Sequence, residues 1–591
     1  MKKATQRVVL YSTLTVLSAA GLYGCKDFLT AASSPQGTLN QATLTDPTGV
    51  EGSLIAAYRT LDCTDSDNGN WGCAASNWVW GSVISDDAYK GSEQGDQGEI
   101  TDLELFHWST ANSESYLDVK WKAMYEGVNR ANATIRLLKD VEKATPNALT
   151  AADQKGIEGE ATFLRAHYHF EAWELWGNIP YYRETDTDFR KPSEASDAVV
   201  ADIEKDLQTA ISLLPATPRK GEVGRATSWT AKAFLGRVQV YAGQYAQGLQ
   251  TLRDVQANGP YALETSFDHV WSGFKQYENG KETILAFQAS VSDGDPNASN
   301  SNYGERLNFP YSGSHFACCS FHQPSQTLVN HFRVDANGLP LALSDPTWNN
   351  HEGTFDATAS ANVAVDPRLD WTVGRYGTPY KDWGPPDPTW VRNEGYSGPY
   401  LPKKNIHEKA SGAEATVGWQ PQQQNSVNIH IFRYADLLLL LAEAEVEAGS
   451  LDNARKIVNQ IRQRAAVAVQ GPGTSASDMA VSINDPRITW AKYKIGTYDS
   501  PWTNQQQARD AVREERNLEL AMEGHRFFDL RRWKIADQVM NAYVAKEASR
   551  RSYYTGAEPF TARHQLFPIP NIEIQLSKVS GAETLKQNTG W

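Results

Sequence analysis

Several familiar chemistries have no foothold in this chain. Neither His-Glu-x-x-His nor Gly-x-Ser-x-Gly occurs, nor does the phosphate loop Gly-x-x-x-x-Gly-Lys-Ser/Thr, so zinc-dependent proteolysis, nucleophile-elbow hydrolysis and P-loop nucleotide binding are all unsupported. His167 and His169 stand two apart in a helical pattern, face different ways and cannot share a metal. Asp65-Ser66-Asp67-Asn68-Gly69 begins like a calcium loop, but Gly69 arrives one position early and Ser76 takes the place of the closing glutamate, so it reads as a polar turn. Basic residues are in deficit, 56 against 70 acidic, for a formal charge of −14 with no long Lys/Arg run, which disfavours nucleic acid and other polyanionic partners. The five leucines Leu437 to Leu441 make a piece of core helix, far short of the ~20 apolar residues that span a bilayer.

Cysteine is scarce too, five in 591 residues, and one of them has a special address. Lys2-Lys3 precede an apolar stretch from Val8 to Gly21, and Leu22-Tyr23-Gly24-Cys25 follows. This reads as a bacterial lipoprotein signal over residues 1–24, with Cys25 the lipidated first mature residue and the rest a soluble body on a lipid tether. Loss of Lys2, Lys3 and Arg7 with the signal makes the mature chain three charges more negative. Cys63, Cys73, Cys318 and Cys319 then admit three pairings into two disulfides. Adjacent Cα atoms lie about 3.8 Å apart, below the usual bridge range of about 4.4–6.8 Å, so Cys318 to Cys319 is the least expected bond. Cys63 to Cys73, closing a short loop, is the favoured one.

Helical periodicity dominates both ends. Apolar positions recur at helical intervals from Ser53 to Leu61, Tyr116 to Leu138 and Ile157 to Trp176, where Gly177-Asn178-Ile179-Pro180 stops the run. Ser196 to Leu213 and Ser228 to Ala242 follow, and Phe432 to Ala448 and Leu451 to Ala465 return near the end, with Ser450 a ready N-cap. From about 259 to 425 the chain is rich in Gly, Pro, Asn, Asp, Ser and Trp, and apolar runs such as Thr283 to Ala289 are short. The predicted organisation is an N-terminal helical region over 25–258, a loop-rich ligand-binding region with short strands over 259–425, and a C-terminal helical region over 426–591. Two-helix units with tight turns suggest tetratricopeptide-like pairs, although no strict 34-residue repeat recurs.

The carboxy-terminal third is more specific. Arg513-Glu514-Glu515-Arg516-Asn517-Leu518-Glu519-Leu520-Ala521-Met522-Glu523-Gly524-His525-Arg526-Phe527-Phe528-Asp529-Leu530-Arg531-Arg532-Trp533 resembles the hallmark segment of the SusD/RagB family of outer-membrane nutrient-binding lipoproteins. Gly224-Arg225-Ala226-Thr227, Arg165-Ala166-His167-Tyr168, Phe432-Arg433-Tyr434-Ala435-Asp436, Phe567-Pro568-Ile569-Pro570 and the tail Gln587 to Trp591 extend the resemblance over essentially the whole chain, with Trp591 where the family usually ends in Tyr. The resemblance implies a mainly α, tetratricopeptide-like scaffold, no catalytic activity and no cofactor. It also implies a SusC-like TonB-dependent transporter as partner and a lipid-anchored place at the outer membrane, facing the cell surface. Independently of it, Gly524 can end one helix, Phe527, Leu530 and Trp533 restart an inward face, and Glu519 and Glu523 read as structural carboxylates.

Tryptophan is what the sequence has in excess, 18 residues, many in turn-rich segments where a helical core does not account for them. Indoles stack on the weakly polar faces of sugars while Asn, Asp and Arg satisfy the hydroxyls. The expected ligand-binding residues are Trp71, Trp78, Trp271, Trp348, Asp382, Trp383, Trp390, Arg392, Asn393 and Tyr396, with Trp71, Trp383 and Trp390 preferred as stacking faces, while Trp121, Trp173, Trp176, Trp229 and Trp533 fall to the core. The function expected is capture of oligosaccharides for uptake. Peptide binding is the alternative and glycoside hydrolysis a distant third, since no carboxylate pair is promoted.

Overall fold

The computed structural model describes residues 45–63, 71–352 and 363–591; the signal, Cys25 and the Asp65–Gly69 turn lie outside them. The long helices are α1 (Pro47–Arg59), α2 (Glu114–Ala144), α3 (Ala151–Trp176), α4 (Ser196–Leu213), α5 (Ser228–Tyr241), α6 (Tyr245–Asn258), α7 (Tyr434–Ala448), α8 (Leu451–Ala465), α9 (Gln505–Leu520), α10 (Arg526–Arg532) and α11 (Ala536–Glu547). Local chemistry fixes their starts. Asp46 accepts the Gly49 N–H at 2.8 Å ahead of Pro47. Thr150 caps α3, and Thr227 and Thr230 form a reciprocal capping box on α5.

Successive helices pack as antiparallel neighbours in the tetratricopeptide manner, α2 on α3, α3 on α4, α4 on α5 and α5 on α6. Then α6 meets α7, which packs on α8 and α9. Gly127 lets α2 and α3 approach closely, because a Cβ there would stand 2.5 Å from the Tyr168 ring. One continuous core runs through these helices and takes in Trp176, Phe234 and all five leucines of α7. Helix α6 escaped the sequence reading because only Gly248, Leu249, Leu252 and Val255 are buried in an otherwise polar segment. Among the described residues no helix is long and apolar enough to cross a membrane.

The strands are brief, as the middle of the sequence foretells. β1 (Ala88–Gly91) pairs antiparallel with β3 (Phe321–Pro324), Tyr89 opposite Gln323, and β2 (Thr283–Phe287) pairs antiparallel with β4 (Ile429–Arg433) through an irregular register. β4 runs directly into α7, so the β2–β4 ribbon joins the loops of the middle to the scaffold.

The charged segment around α9 is a buried ion-pair lattice. Glu515 accepts from Arg368 at 2.7 Å and Arg462 at 2.8 Å; Glu519 accepts from Arg368 at 3.0 Å, Arg433 at 2.8 Å and Arg464; Glu523 accepts from Arg433 at 2.8 Å and Lys404 at 2.7 Å. Arg433 and Lys404 hold the Glu523 carboxyl down at about 2 against the upward push of burial. The helix stops at Leu520, four residues earlier than Gly524 suggests: Ala521 turns extended and Met522 takes φ 64°. Gly524 matters differently, since at φ 74° a Cβ would lie 1.9 Å from the Ser76 carbonyl oxygen.

Candidate functional site

A cleft of about 200 Å³ opens where three loop elements meet: the end of α1 with the turn through Cys63, the 3-10 turn Tyr303–Asn308, and the loop that carries Trp419. Cys63 and Cys73 are joined by a disulfide, with Cα atoms 5.4 Å apart, which fixes Trp71 beside the cleft. The Trp419 loop is closed at its base by the Ala415 N–H donating to the Gln424 carbonyl at 3.0 Å, and Gln424 donates to the Trp419 carbonyl at 2.8 Å. Gly418, at φ 88°, runs so close to the Asn297 carbonyl that a Cβ would sit 2.5 Å from it.

The cleft wall is a ladder of flat groups. Trp71 stacks on Tyr303 with ring centroids 5.6 Å apart and planes 15° from parallel. The Arg306 guanidinium lies 5.5 Å from the Tyr303 ring and 3.9 Å from the Trp419 ring. Trp419 is 71% exposed, while every other tryptophan is buried or half-buried. Its inner face is covered by Arg306 and its outer face is presented to solvent, rigidly and at small entropic cost. Arg306 donates through Nε and Nη2 to Gln423 Oε1 at 3.2 and 3.1 Å and through Nη1 to the Tyr303 hydroxyl at 3.3 Å. Arg59 donates to the Asp62, Cys63 and Ser299 carbonyls at 3.1, 3.0 and 2.9 Å. The Asp62 carboxyl accepts the Ala75 N–H at 2.9 Å and the Gly304 N–H at 3.5 Å, and burial pushes its pKa up. Asn297, Ser299 and Gln424 complete a polar floor. A flat exposed indole above hydroxyl-matching groups is the chemistry of saccharide capture.

The structure disperses the residues singled out from the sequence. Trp71, only 8% exposed, reaches the cleft through Tyr303 rather than with its own face. Trp78 is fully buried and donates to the Gly304 carbonyl at 3.1 Å, so it supports the cleft floor from beneath. Trp271 is buried under Lys404 and Arg433, which stand 4.2 and 4.8 Å from its ring. Trp348 is half-buried against His331. Trp390 is buried edge-on to Tyr380, and Tyr396 is buried in a stack with Tyr553. Half-buried Trp383 stacks on His315, and its indole N–H is taken by the His407 carbonyl at 2.8 Å. Asp382 accepts two backbone N–H groups, from Lys409 and Ala410, and Asn393 caps a short helix by accepting the Tyr396 N–H. Arg392 is committed to Glu93 at 2.6 Å and Asp96 at 2.5 Å. The preferred stacking roles of Trp71 and Trp390 are therefore corrected: turn-rich sequence does not mean an exposed ring, because loops laid over a scaffold bury aromatics of their own.

Tyr303, Arg306 and Trp419 went unnoticed, although Trp419 stands between Gly418 and Pro421, the same turn chemistry that drew attention to the others. A second correction concerns Cys318 and Cys319, which do form a disulfide, with Cα atoms 3.6 Å apart. The usual Cα range describes bridges between separate segments; here Ala317 and Ser320, at φ 51° and 60°, curl the chain around the pair. The Cys318 sulfur meets the Arg306 carbonyl at 3.4 Å, directly behind the ladder. Among the described residues no group of three or more His, Cys, Asp or Glu side chains is placed to hold a metal.

Two family models match the chain: the SusD family over residues 281–591, just over half of it, and a SusD-like family described as "Starch-binding associating with outer membrane" over residues 79–240. SusD-like proteins of Formosa agariphila are 24% identical over 476 residues (78% of this chain, 80% of the relative) and over 582 residues (92% and 95%). Among solved structures, a laminarin-binding SusD-like protein superposes with a TM-score of 0.64 at 21% identity, covering 92% of this chain and all of the other. Surface glycan-binding protein A from Bacteroides thetaiotaomicron, solved with laminarihexaose, gives 0.63 at 18% identity over 92% and 99%.

Proposed function

Because the chain belongs to the SusD family, we propose that it is a surface glycan-binding lipoprotein that captures oligosaccharides and hands them to a SusC-like TonB-dependent outer-membrane transporter, without catalysing a reaction on them. The observation that carries this reading is the Trp71–Tyr303–Arg306–Trp419 ladder, which ends in the one exposed indole, above a polar cleft. Laminarin in the name of one similar structure, laminarihexaose in that of another, and starch in the description of a matching family support a saccharide as the ligand class. Cys25 would tether the protein to the outer membrane. Residues 25–258 and 426–591 would supply the scaffold and the transporter-facing side, leaving the loops of 259–425, with Trp71 beside them, to face the ligand.

Binding of this kind is modest, because desolvated hydroxyl partners offset much of the aromatic contact. The decisive experiment titrates the purified protein and its Trp419→Ala variant with a panel of polysaccharides and short peptides. Saccharide binding without turnover, weakened in the variant, is expected. Peptide binding in its place, or turnover of a glycan, would overturn the assignment. Co-purification with a SusC-like transporter tests the partnership, and protease shaving of intact cells tests surface exposure.

A further inference from the structure

Most buried arginines of the molecule hold a carboxylate; Arg306 in this cleft does not, and it shares that lack with Arg237, which donates to the Ile431 carbonyl. Arg368 contacts Asp366, Glu515 and Glu519, Arg433 contacts Glu282, Glu519 and Glu523, and even the half-exposed Arg392 holds two carboxylates. Arg306 is 4% exposed, yet its hydrogen-bond acceptors are a neutral amide and a phenol; Arg59 lies over the Phe287 ring, hydrogen-bonds only backbone carbonyls, and acts on the Asp62 carboxyl through charge alone. Among the described residues no carboxylate lies within ion-pair distance of either. Asp62, the one carboxyl lining the cleft, is turned to two backbone N–H groups.

We propose that the saccharide this cleft selects is anionic, carrying uronate carboxylates or sulfate esters; the inference rests on the cleft being the glycan site. A guanidinium has five N–H donors, and the protein takes three on each arginine, so each has donors left for an oxyanion. Burying a cation without its counter-ion is costly, and burial accordingly lowers the Arg306 pKa with no nearby carboxylate to raise it. A bound oxyanion would supply the missing charge and meet the planar fork in the geometry that distinguishes Arg from Lys. The stacking face of Trp419 would hold the sugar ring while the arginines read its acidic group. The acidic surface, formally −14 over the whole chain, does not forbid this: beyond about 8 Å salt screens it, and the cleft decides at contact distance.

The test uses matched pairs at about 0.15 M salt, where surface charge is screened. Full-length mature protein is compared by affinity electrophoresis and calorimetry on polygalacturonate against its carboxyl-reduced form and on carrageenan against its desulfated form, with laminarin as neutral reference. The charged member of at least one pair should bind about tenfold tighter, and which pair responds tells carboxylate from sulfate. Arg306→Gln and, at the cleft edge, Arg59→Gln should erase the advantage, whereas Trp419→Ala should weaken both members. Laminarin or the neutral members bound as tightly as the charged ones would overturn the anionic preference while leaving the glycan site intact. Failure to bind any saccharide, or binding indifferent to Trp419→Ala, would overturn the site itself.

Discussion

The lattice around α9 and the cleft around Trp419 use the same side chain in opposite ways. Around Glu519, guanidinium groups and carboxylates alternate until each charge has more than one partner, all of them buried. Around Arg306 the partners are neutral and one aromatic face is left to solvent. A buried ion pair offers little net stability but punishes the loss of one member, so the first region specifies how α7, α8 and α9 meet. The second gives up local satisfaction and thereby retains capacity for a ligand.

Breaking the lattice should produce the largest effect. Glu519→Ala strands Arg368, Arg433 and Arg464 in a dry interior and is expected to cost about 3–5 kcal/mol. Denaturant unfolding measures it, and a loss below 1 kcal/mol would show that the lattice is not specifying the fold. Folded Glu519→Ala protein should keep the saccharide affinity of the wild type.

Indole truncation sharpens the comparison within one residue type. Trp390→Ala opens a cavity beside Tyr380 and should cost about 3–5 kcal/mol of stability. Trp419→Ala should leave unfolding within about 0.5 kcal/mol of wild type, yet weaken saccharide binding by about 1–3 kcal/mol, the range for aromatic stacking on flat ligands. The reverse pattern, with Trp390 governing affinity and Trp419 stability, would return the site to the Trp383–Trp390 segment.

How far the sequence led follows from which signals are local. Helices α3, α4, α7 and α8 were legible because their signals are local: apolar spacing in all four, a side-chain cap on α3 and α8, and a Gly or Pro stop after α3, α4 and α7. The family was legible because its motifs are contiguous. The cleft was not, since Trp71, Tyr303, Arg306 and Trp419 are separated by up to 348 positions and only the folded loops bring them together. Tryptophan abundance marked the right region and the right residue type but could not tell an indole over a scaffold from one beneath it: Trp78 and Trp419 both sit among turn formers, and one is fully buried.

The disulfide at the cleft edge comes next in size. Reducing the loop between Cys63 and Cys73 to an open segment, by Cys63→Ser with Cys73→Ser, should cost about 2–3 kcal/mol on the chain-entropy estimate. It should also slacken the Trp71–Tyr303 stack and weaken binding several-fold. Opening Cys318–Cys319, which closes almost no loop, should cost about 1 kcal/mol on the same estimate. Equal losses from the two pairs would mean that strain relief rather than loop entropy governs both.

The smallest expected effect separates the two regions by pH. Burial pushes the carboxyls of Glu305, beneath the cleft, and of Glu104 and Asp87 up to about 7. Below about pH 4 both folded and unfolded chains hold these protons. As pH rises towards 7 the unfolded chain releases them first, so the native state holds more protons and stability falls; above about 7 the loss is complete. Glu523 and Glu51, held at about 2 by their basic partners, act in the opposite sense, contributing fully above their unfolded values and losing that contribution as pH falls towards 2. These raised carboxyls by themselves lower the midpoint of thermal unfolding between pH 5 and 8, on the order of 1 °C per kcal/mol for a chain of this size, while His167, His322 and His564, which burial holds at about 4, 3 and 4, act against them below about pH 6.5. Glu305→Gln retains hydrogen-bonding capacity toward Ser76 and Asn308 while removing one titrating group, and should flatten the decline between pH 5 and 8. A decline as steep as that of the wild type would place the titration in the scaffold, with Glu104 and Asp87, and not beneath the ligand cleft.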